Sequence, residues 1–149
     1  MSKHAPPPGA KSIDEILDEA RSHLARITPA QLLAELLSSS HGPTHIVDIR
    51  PAAQREREGA LAFPELLDAS ATKHTISVIE RNVLEWRLDP QSEARIREIV
   101  DELGYDTRVV VSCSEGYTSS LAARELQRLG LARATDLDGG YRAWKRAEV

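Results

Sequence analysis

The sequence predicts an α/β fold, a central, mainly parallel sheet flanked by helices on both faces. Three observations predict it. Short β-branched runs alternate with apolar stripes of helical period, the pattern of parallel strands joined by crossover helices. The clearest strand, Arg108-Val-Val-Val111, is apolar without alternation, as a strand covered on both faces must be. The length, 149 residues with 41% apolar side chains, suits one domain with a single core. Aromatics are only 4%, so that core must be aliphatic.

Taken in order, residues 1–11 read as a solvated tail, because Pro6-Pro7-Pro8 and Gly9 cannot bury enough to offset ordering. An N-terminal helical segment follows over 12–37. Ser12-Ile-Asp-Glu15 has capping-box form, and Ile13, Ile16, Leu17, Ala20 and Leu24 make one apolar stripe. Thr28-Pro29-Ala30-Gln31 opens a second helix, with Leu32, Leu33, Leu36 and Leu37 suited to the core or to the surface of a homodimer. Ser38 to Pro43 is a loop, and a domain over 38–149 begins there. His45 to Ile49 and Thr75 to Ile79 read as strands, separated by a charged helical turn from Pro51 and an irregular stretch from Gly59 to His74. Ser92 to Leu103 is predicted as a helix, with Gly104 as its stop. Arg108 to Ser112 is a strand, Ser119 to Leu129 a helix, Ala134 to Leu137 the last strand, and a final helix carries Tyr141, Ala143 and Trp144.

Composition narrows the function. Nineteen Lys and Arg against 23 Asp and Glu give a formal net charge of −4, which argues against nucleic acid as a partner, since phosphates demand clustered cations. No apolar run approaches the roughly 20 residues of a membrane span, and the first residues lack the apolar core of a secretory signal. The expectation is a cytoplasmic chain without membrane contact. One cysteine excludes an internal disulfide and a multi-cysteine metal site. The five histidines have no metal spacing and read as solvated or core residues. No metal and no cofactor are expected.

Cys113 is the residue best placed for chemistry. Ligands of open α/β sheets bind beyond the carboxyl ends of the strands, and Cys113 follows Val109-Val110-Val111-Ser112 directly. Ser114-Glu115-Gly116-Tyr117-Thr118 then leads into a helix. A tight loop between strand end and helix start turns several backbone N–H groups toward one centre. Such donors stabilise a thiolate, the nucleophilic form. Gly116 permits a backbone conformation that a Cβ would oppose. An accessible, reactive Cys113 is the expectation; the competing reading is a small buried hydrophobe, the commoner fate of a free cysteine.

Three motifs, in order, resemble the rhodanese-like sulfurtransferases over roughly Ser38 to Glu148. Ile46-Val-Asp48-Ile-Arg50 resembles the family's first strand with its Asp-x-Arg end. Cys113-Ser-Glu-Gly116-Tyr-Thr118-Ser resembles the active loop. Leu137-Asp-Gly139-Gly140-Tyr-Arg-Ala-Trp144 resembles the closing Gly-Gly and Trp signature. The resemblance implies that Cys113 takes the outer sulfur of a small donor, holds it as a persulfide, and passes it to a thiol or cyanide acceptor. It implies substrate contacts from Ser114, Glu115, Gly116, Tyr117, Thr118, Ser119 and Arg50. Asp48, Gly139, Gly140 and Trp144 would be structural support. Asp48 and Arg50 equally fit an ion pair that pins neighbouring loops. Ser114 and Glu115 stand where thiosulfate-using members often carry cations, so Glu115 is expected to repel a dianionic donor.

Two rival classes are weighed. A cysteine phosphatase needs an arginine six residues after its cysteine to clamp the tetrahedral anion; that position is Ser119. A non-catalytic rhodanese-like binding module is the stronger alternative, and the retained Cys113 argues against it.

Overall fold

A computed structural model describes residues 4–38 and 42–147. His41, part of the loop from Ser38 to Pro43 and the extreme ends of the chain lie outside the described residues. Two helices come first, α1 (Ile13–Ser22) and α2 (Pro29–Leu37). Both start on capping boxes. Ser12 Oγ accepts the Glu15 N–H at 3.1 Å and Thr28 Oγ1 that of Gln31 at 3.2 Å, while Glu15 and Gln31 reach back to the cap amides. Each cap contributes about 1 kcal/mol to its helix.

Four strands follow, β1 (Thr44–Asp48), β2 (Thr75–Val78), β3 (Arg108–Ser112) and β4 (Thr135–Asp136). They form one sheet in the order β2-β1-β3-β4, every neighbour parallel. β1 aligns with β3 from Thr44 opposite Arg108 to Asp48 opposite Ser112, so both central strands end at the same level. The crossovers contain α3 (Ala52–Glu58), α4 (Leu84–Leu88) behind a 3₁₀ turn, the four-residue α5 (Arg97–Val100) and α6 (Thr118–Arg128); α7 (Gly140–Arg146) closes the chain.

Period-2 alternation sorts the central strands between two cores. Val47, Val109 and Val111 pack on one face with Leu84, Leu88, Val100 and Leu126. Ile46 and Val110 pack on the other with Leu32, Leu36, Leu137 and Trp144. Each fully buried aliphatic chain contributes roughly 1.5–3 kcal/mol of transfer free energy. Leu32 and Leu36 of the N-terminal segment are thus spent on the same core as the sheet, and Ile27 makes a parallel bridge to Leu137.

Several expectations need correction. The predicted helix over 92–103 is only α5. Ile96 is extended, its amide bonding the Arg87 carbonyl, and the Arg87 guanidinium holds the Ala94 carbonyl. Periodicity placed Ile99 and Val100 inward correctly, although Leu103 is 36% exposed. Residues 81–88, assigned no element from sequence, are helical. The α1 stripe is narrower than predicted, since Leu17, Ala20 and Leu24 are buried while Ile13 and Ile16 are exposed. In the charged stretch from Arg50 to Glu58, Arg50 is fully buried. Of the histidines, His45 and His74 are buried. His74 accepts the Thr44 amide at Nδ1 and meets the Leu36 carbonyl at Nε2, which ties the end of α2 to the start of β1 and to the residue before β2. Burial holds His45 below its ordinary value.

Candidate active site

The carboxyl ends of β1 and β3 deliver Asp48 and Cys113 to one edge of the sheet. Cys113 is the first residue after β3, and residues 113–117 form the predicted loop into α6. Gly116 has φ +86, the left-handed conformation that glycine adopts freely. A Cβ there would lie 2.8 Å from the Gly139 amide nitrogen. This turn brings the Gly116 N–H onto Cys113 Sγ at 3.1 Å. α6 starts without a side-chain cap, and first-turn amides have no intrahelical acceptor, so its positive end faces the loop.

Cys113 is 4% exposed, which corrects the expectation of an accessible thiol. It sits at the wall of a cavity of about 290 Å3 lined also by Ile49, Pro51, Gln54, Tyr117 and Thr118. Ser114, Glu115 and part of Arg50 border the same cavity. Ser119 and Ser120 face away from it. Both hydroxyls donate to Asp136 Oδ2 at 2.8 Å, so Ser119 supports the loop from behind rather than lining the cavity.

The loop is held from three sides. From the C-terminal side, the Tyr141 amide donates to the Cys113 carbonyl at 2.7 Å and the Arg142 amide to that of Ser114 at 3.1 Å. This approach requires glycine at 140, where a Cβ would stand 2.5 Å from the Cys113 oxygen. Gly139 and Gly140 therefore support the loop directly, beyond making a turn. Trp144 anchors α7, burying its ring and donating Nε1–H to the Ala62 carbonyl. From β1, Arg50 makes a forked pair with Asp48, Nη2 to Oδ2 at 2.7 Å, and a longer one with Glu58 at 3.2 Å. Its guanidinium also lies over the Tyr141 ring, 4.1 Å from the centroid. Burial works against the Arg50 charge, and Asp48 and Glu58 more than restore it. The Arg50 side chain has no exposed surface and is engaged by Asp48 and Glu58, while the residue borders the cavity beside Cys113.

Glu58 links that pair to the loop, accepting the Ser114 hydroxyl at 2.7 Å and the Arg142 guanidinium. The Ser114 hydrogen bond, then those of Arg50 and Arg142, hold the Glu58 carboxyl below its ordinary range. From the N-terminal side, Arg21 and Arg26 both donate to the Gly116 carbonyl, at 2.9 and 3.0 Å. Sequence reasoning missed Arg21, Arg26, Glu58, Asp136 and Arg142. Glu58 stood at the end of the charged run, and Arg142 stood inside the Leu137–Trp144 motif with Asp136 just before it. Among the described residues, no group of His, Cys, Asp and Glu could hold a metal ion, and no helix is long and apolar enough to cross a membrane.

Comparison with known proteins follows this geometry. Residues 28–147 match the Rhodanese-like domain family. The thiosulfate sulfurtransferase GlpE of Glaesserella parasuis is 36% identical over 52 residues, 35% of this chain and 48% of that protein; the match thus spans about half the length of that relative. A solved protein of unknown function from Rhodopseudomonas palustris, described as a possible tyrosine phosphatase, is similar over 97% of this chain and 96% of its own, at 32% identity and TM-score 0.72. A rhodanese-like domain protein from Staphylococcus aureus covers 80% of this chain and 89% of its own, at 18% identity and TM-score 0.51, and shares the fold.

Proposed function

From the premise that this chain belongs to the rhodanese-like domain family, we propose that it is a sulfurtransferase working through a persulfide on Cys113. The observation that carries the reading is the Gly116 N–H on Cys113 Sγ, at the mouth of an uncapped helix and a cavity large enough for a small donor. In the first half-reaction the Cys113 thiolate attacks the outer sulfur of the donor. With thiosulfate, a bond forms between Sγ and that sulfur, the donor's S–S bond breaks, and its electron pair leaves with sulfite. In the second, an acceptor attacks the same sulfur, and the Sγ–S bond breaks to return the thiolate. Cyanide would leave as thiocyanate, a thiol as its persulfide. Splitting the transfer makes each step easier, and inward-turned amides stabilise anionic sulfur throughout.

A phosphatase reading finds less support. Ser119 occupies the position of the phosphate-clamping arginine, and its hydroxyl is bonded to Asp136. A binding module without chemistry leaves the Gly116–Cys113 contact without purpose. Intact mass separates the readings: after incubation with thiosulfate or mercaptopyruvate and removal of the excess, the protein should gain one sulfur, and lose it to cyanide. No gain with either donor would reject sulfur transfer; uptake of phosphate from an aryl phosphate would favour the phosphatase.

A further inference from the structure

We infer that Arg21 and Arg26, which precede the region matched by the family, are positioning residues that set the orientation of the nucleophile loop; the inference rests on the sulfurtransferase reading. Both guanidinium groups converge on one backbone oxygen. Arg21 Nη2 reaches the Gly116 carbonyl at 2.9 Å and Arg26 Nη2 at 3.0 Å. Neither is a stray surface contact. Arg21 is braced by Nε to Ser120 Oγ at 3.0 Å. Arg26 is braced by a forked pair to Asp136, Nε to Oδ1 at 3.0 Å and Nη2 to Oδ2 at 3.1 Å. The Asp136 side chain is fully buried and also accepts Ser119 and Ser120, so one carboxylate locks both the arginine and the first turn of α6.

The consequence follows from peptide geometry. The Gly116–Tyr117 peptide is trans, and in a trans peptide the C=O and the next N–H point in opposite directions. Fixing the Gly116 oxygen on the arginine side turns the Tyr117 N–H the other way, toward the cavity that Tyr117 and Cys113 share. The Gly116 N–H is already on Cys113 Sγ. A sulfur carried on Cys113 into that cavity would then meet the Tyr117 N–H beside the Gly116 amide. Two cationic donors on one carbonyl also polarise that peptide, which strengthens its N–H as a donor. Burial opposes the charge of Arg26, but Asp136, Asp138 and Cys113 favour it. The loop that does the chemistry is thus aimed by side chains lying 95 and 90 residues earlier in the chain.

Arg21→Met is the informative variant, because its partners are neutral and no buried charge is stranded. Thiosulfate serves as donor, with sulfur loading followed by intact mass. Loading kcat should fall roughly 10-fold, the loss of a charged hydrogen bond, with little change in KM and in melting temperature. The Tyr117 amide resonance should shift, and Arg21→Lys should recover most of the rate. Arg26→Lys keeps the charge beside Asp136 but cannot span it and Gly116 together, so it should be slowed without unfolding. A kcat for Arg21→Met within twofold of wild type, or a loss explained by the unfolded fraction, would overturn the inference. If wild type takes up no sulfur, the sulfurtransferase reading fails by itself. Iodoacetamide labelling of Cys113 and the Tyr117 resonance then still decide the clamp, and unchanged values in Arg21→Met would reject it.

Discussion

Arg142 forms an ion pair with Glu115, its Nη1 on the carboxylate Oε1, at the rim of the nucleophile loop. From the sequence, Glu115 is expected to repel a dianionic donor. The fold supplies its counterion from α7, 27 residues away, and the same guanidinium also holds Glu58. Both members of the rim pair are more than half exposed, so the coupling between them is worth at most about 1 kcal/mol.

Donor selectivity should therefore respond to Arg142 more than to Glu115. Arg142→Gln strips Glu115, at the cavity rim, of its counterion and leaves Glu58 with Arg50 as its remaining cation. Its kcat/KM for thiosulfate should drop roughly threefold to fivefold at low salt, with the difference vanishing at high ionic strength. Glu115→Gln should change the same quantity by less than about twofold. A salt-independent loss in Arg142→Gln would mean that the guanidinium's local hydrogen bonds to Glu58 and Glu115, not its longer-range charge, govern the donor.

Cys113→Ser should abolish sulfur loading and leave stability nearly unchanged. The hydroxyl fits the space of the thiol in this tightly held loop and can still accept the Gly116 N–H, yet it is a far poorer nucleophile at neutral pH. Intact mass and a thermal melt check both halves of the statement.

Arg50→Met should destabilise the whole domain. It strands Asp48, which is 1% exposed, and leaves Glu58 with one cation fewer. Breaking a buried pair from one side costs about 3–5 kcal/mol, equivalent to a fall of roughly 10 °C in melting temperature for a chain of this size. Asp48→Asn/Arg50→Met should recover part of that loss, because no bare carboxylate then remains at position 48. A double variant as unstable as Arg50→Met would show that stacking on Tyr141, not the ion pair, is what Arg50 contributes.

Acid should loosen the loop through Glu58. Its folded value lies below the ordinary 4.5, so it contributes stability that is present above that pH and is lost as pH falls through the folded value. Between about pH 5 and pH 3 the wild type should lose melting temperature more steeply than Glu58→Gln, which has already lost the charge. Parallel curves would exclude Glu58 from the acid response.

What could be read in the sequence was local. The two capping boxes, the Val109–Val111 strand and the cysteine at its end are each written in adjacent residues, and the structure has them where the pattern put them. The limits were also physical. Apolar spacing in 92–103 reports which side chains face the core, not whether the backbone between them is helical; the Arg87 contacts to Ala94 and Ile96 interrupt the helix without disturbing that spacing. Arg21 and Arg26 carried no signal, and Arg142 stood within the Leu137–Trp144 motif without its partners being legible, since an arginine's partner is chosen by tertiary distance. The Asp48–Arg50 alternation placed two charges on one face, and only burial could decide that they serve each other.

The bridge between Ile27 and Leu137 has a bearing on how the molecule behaves among its own copies. β4 is only two residues long and stands at one edge of the sheet, where unpaired amides and carbonyls invite a strand from another chain. Ile27 occupies that place, donating to the Asp136 carbonyl at 3.1 Å and accepting from the Asp138 amide at 2.8 Å. The linker between α1 and α2 is thus a guard rail on the open side of the sheet. A chain shortened to begin at Thr28, where the family match starts, would bare that edge and self-associate in proportion to its concentration.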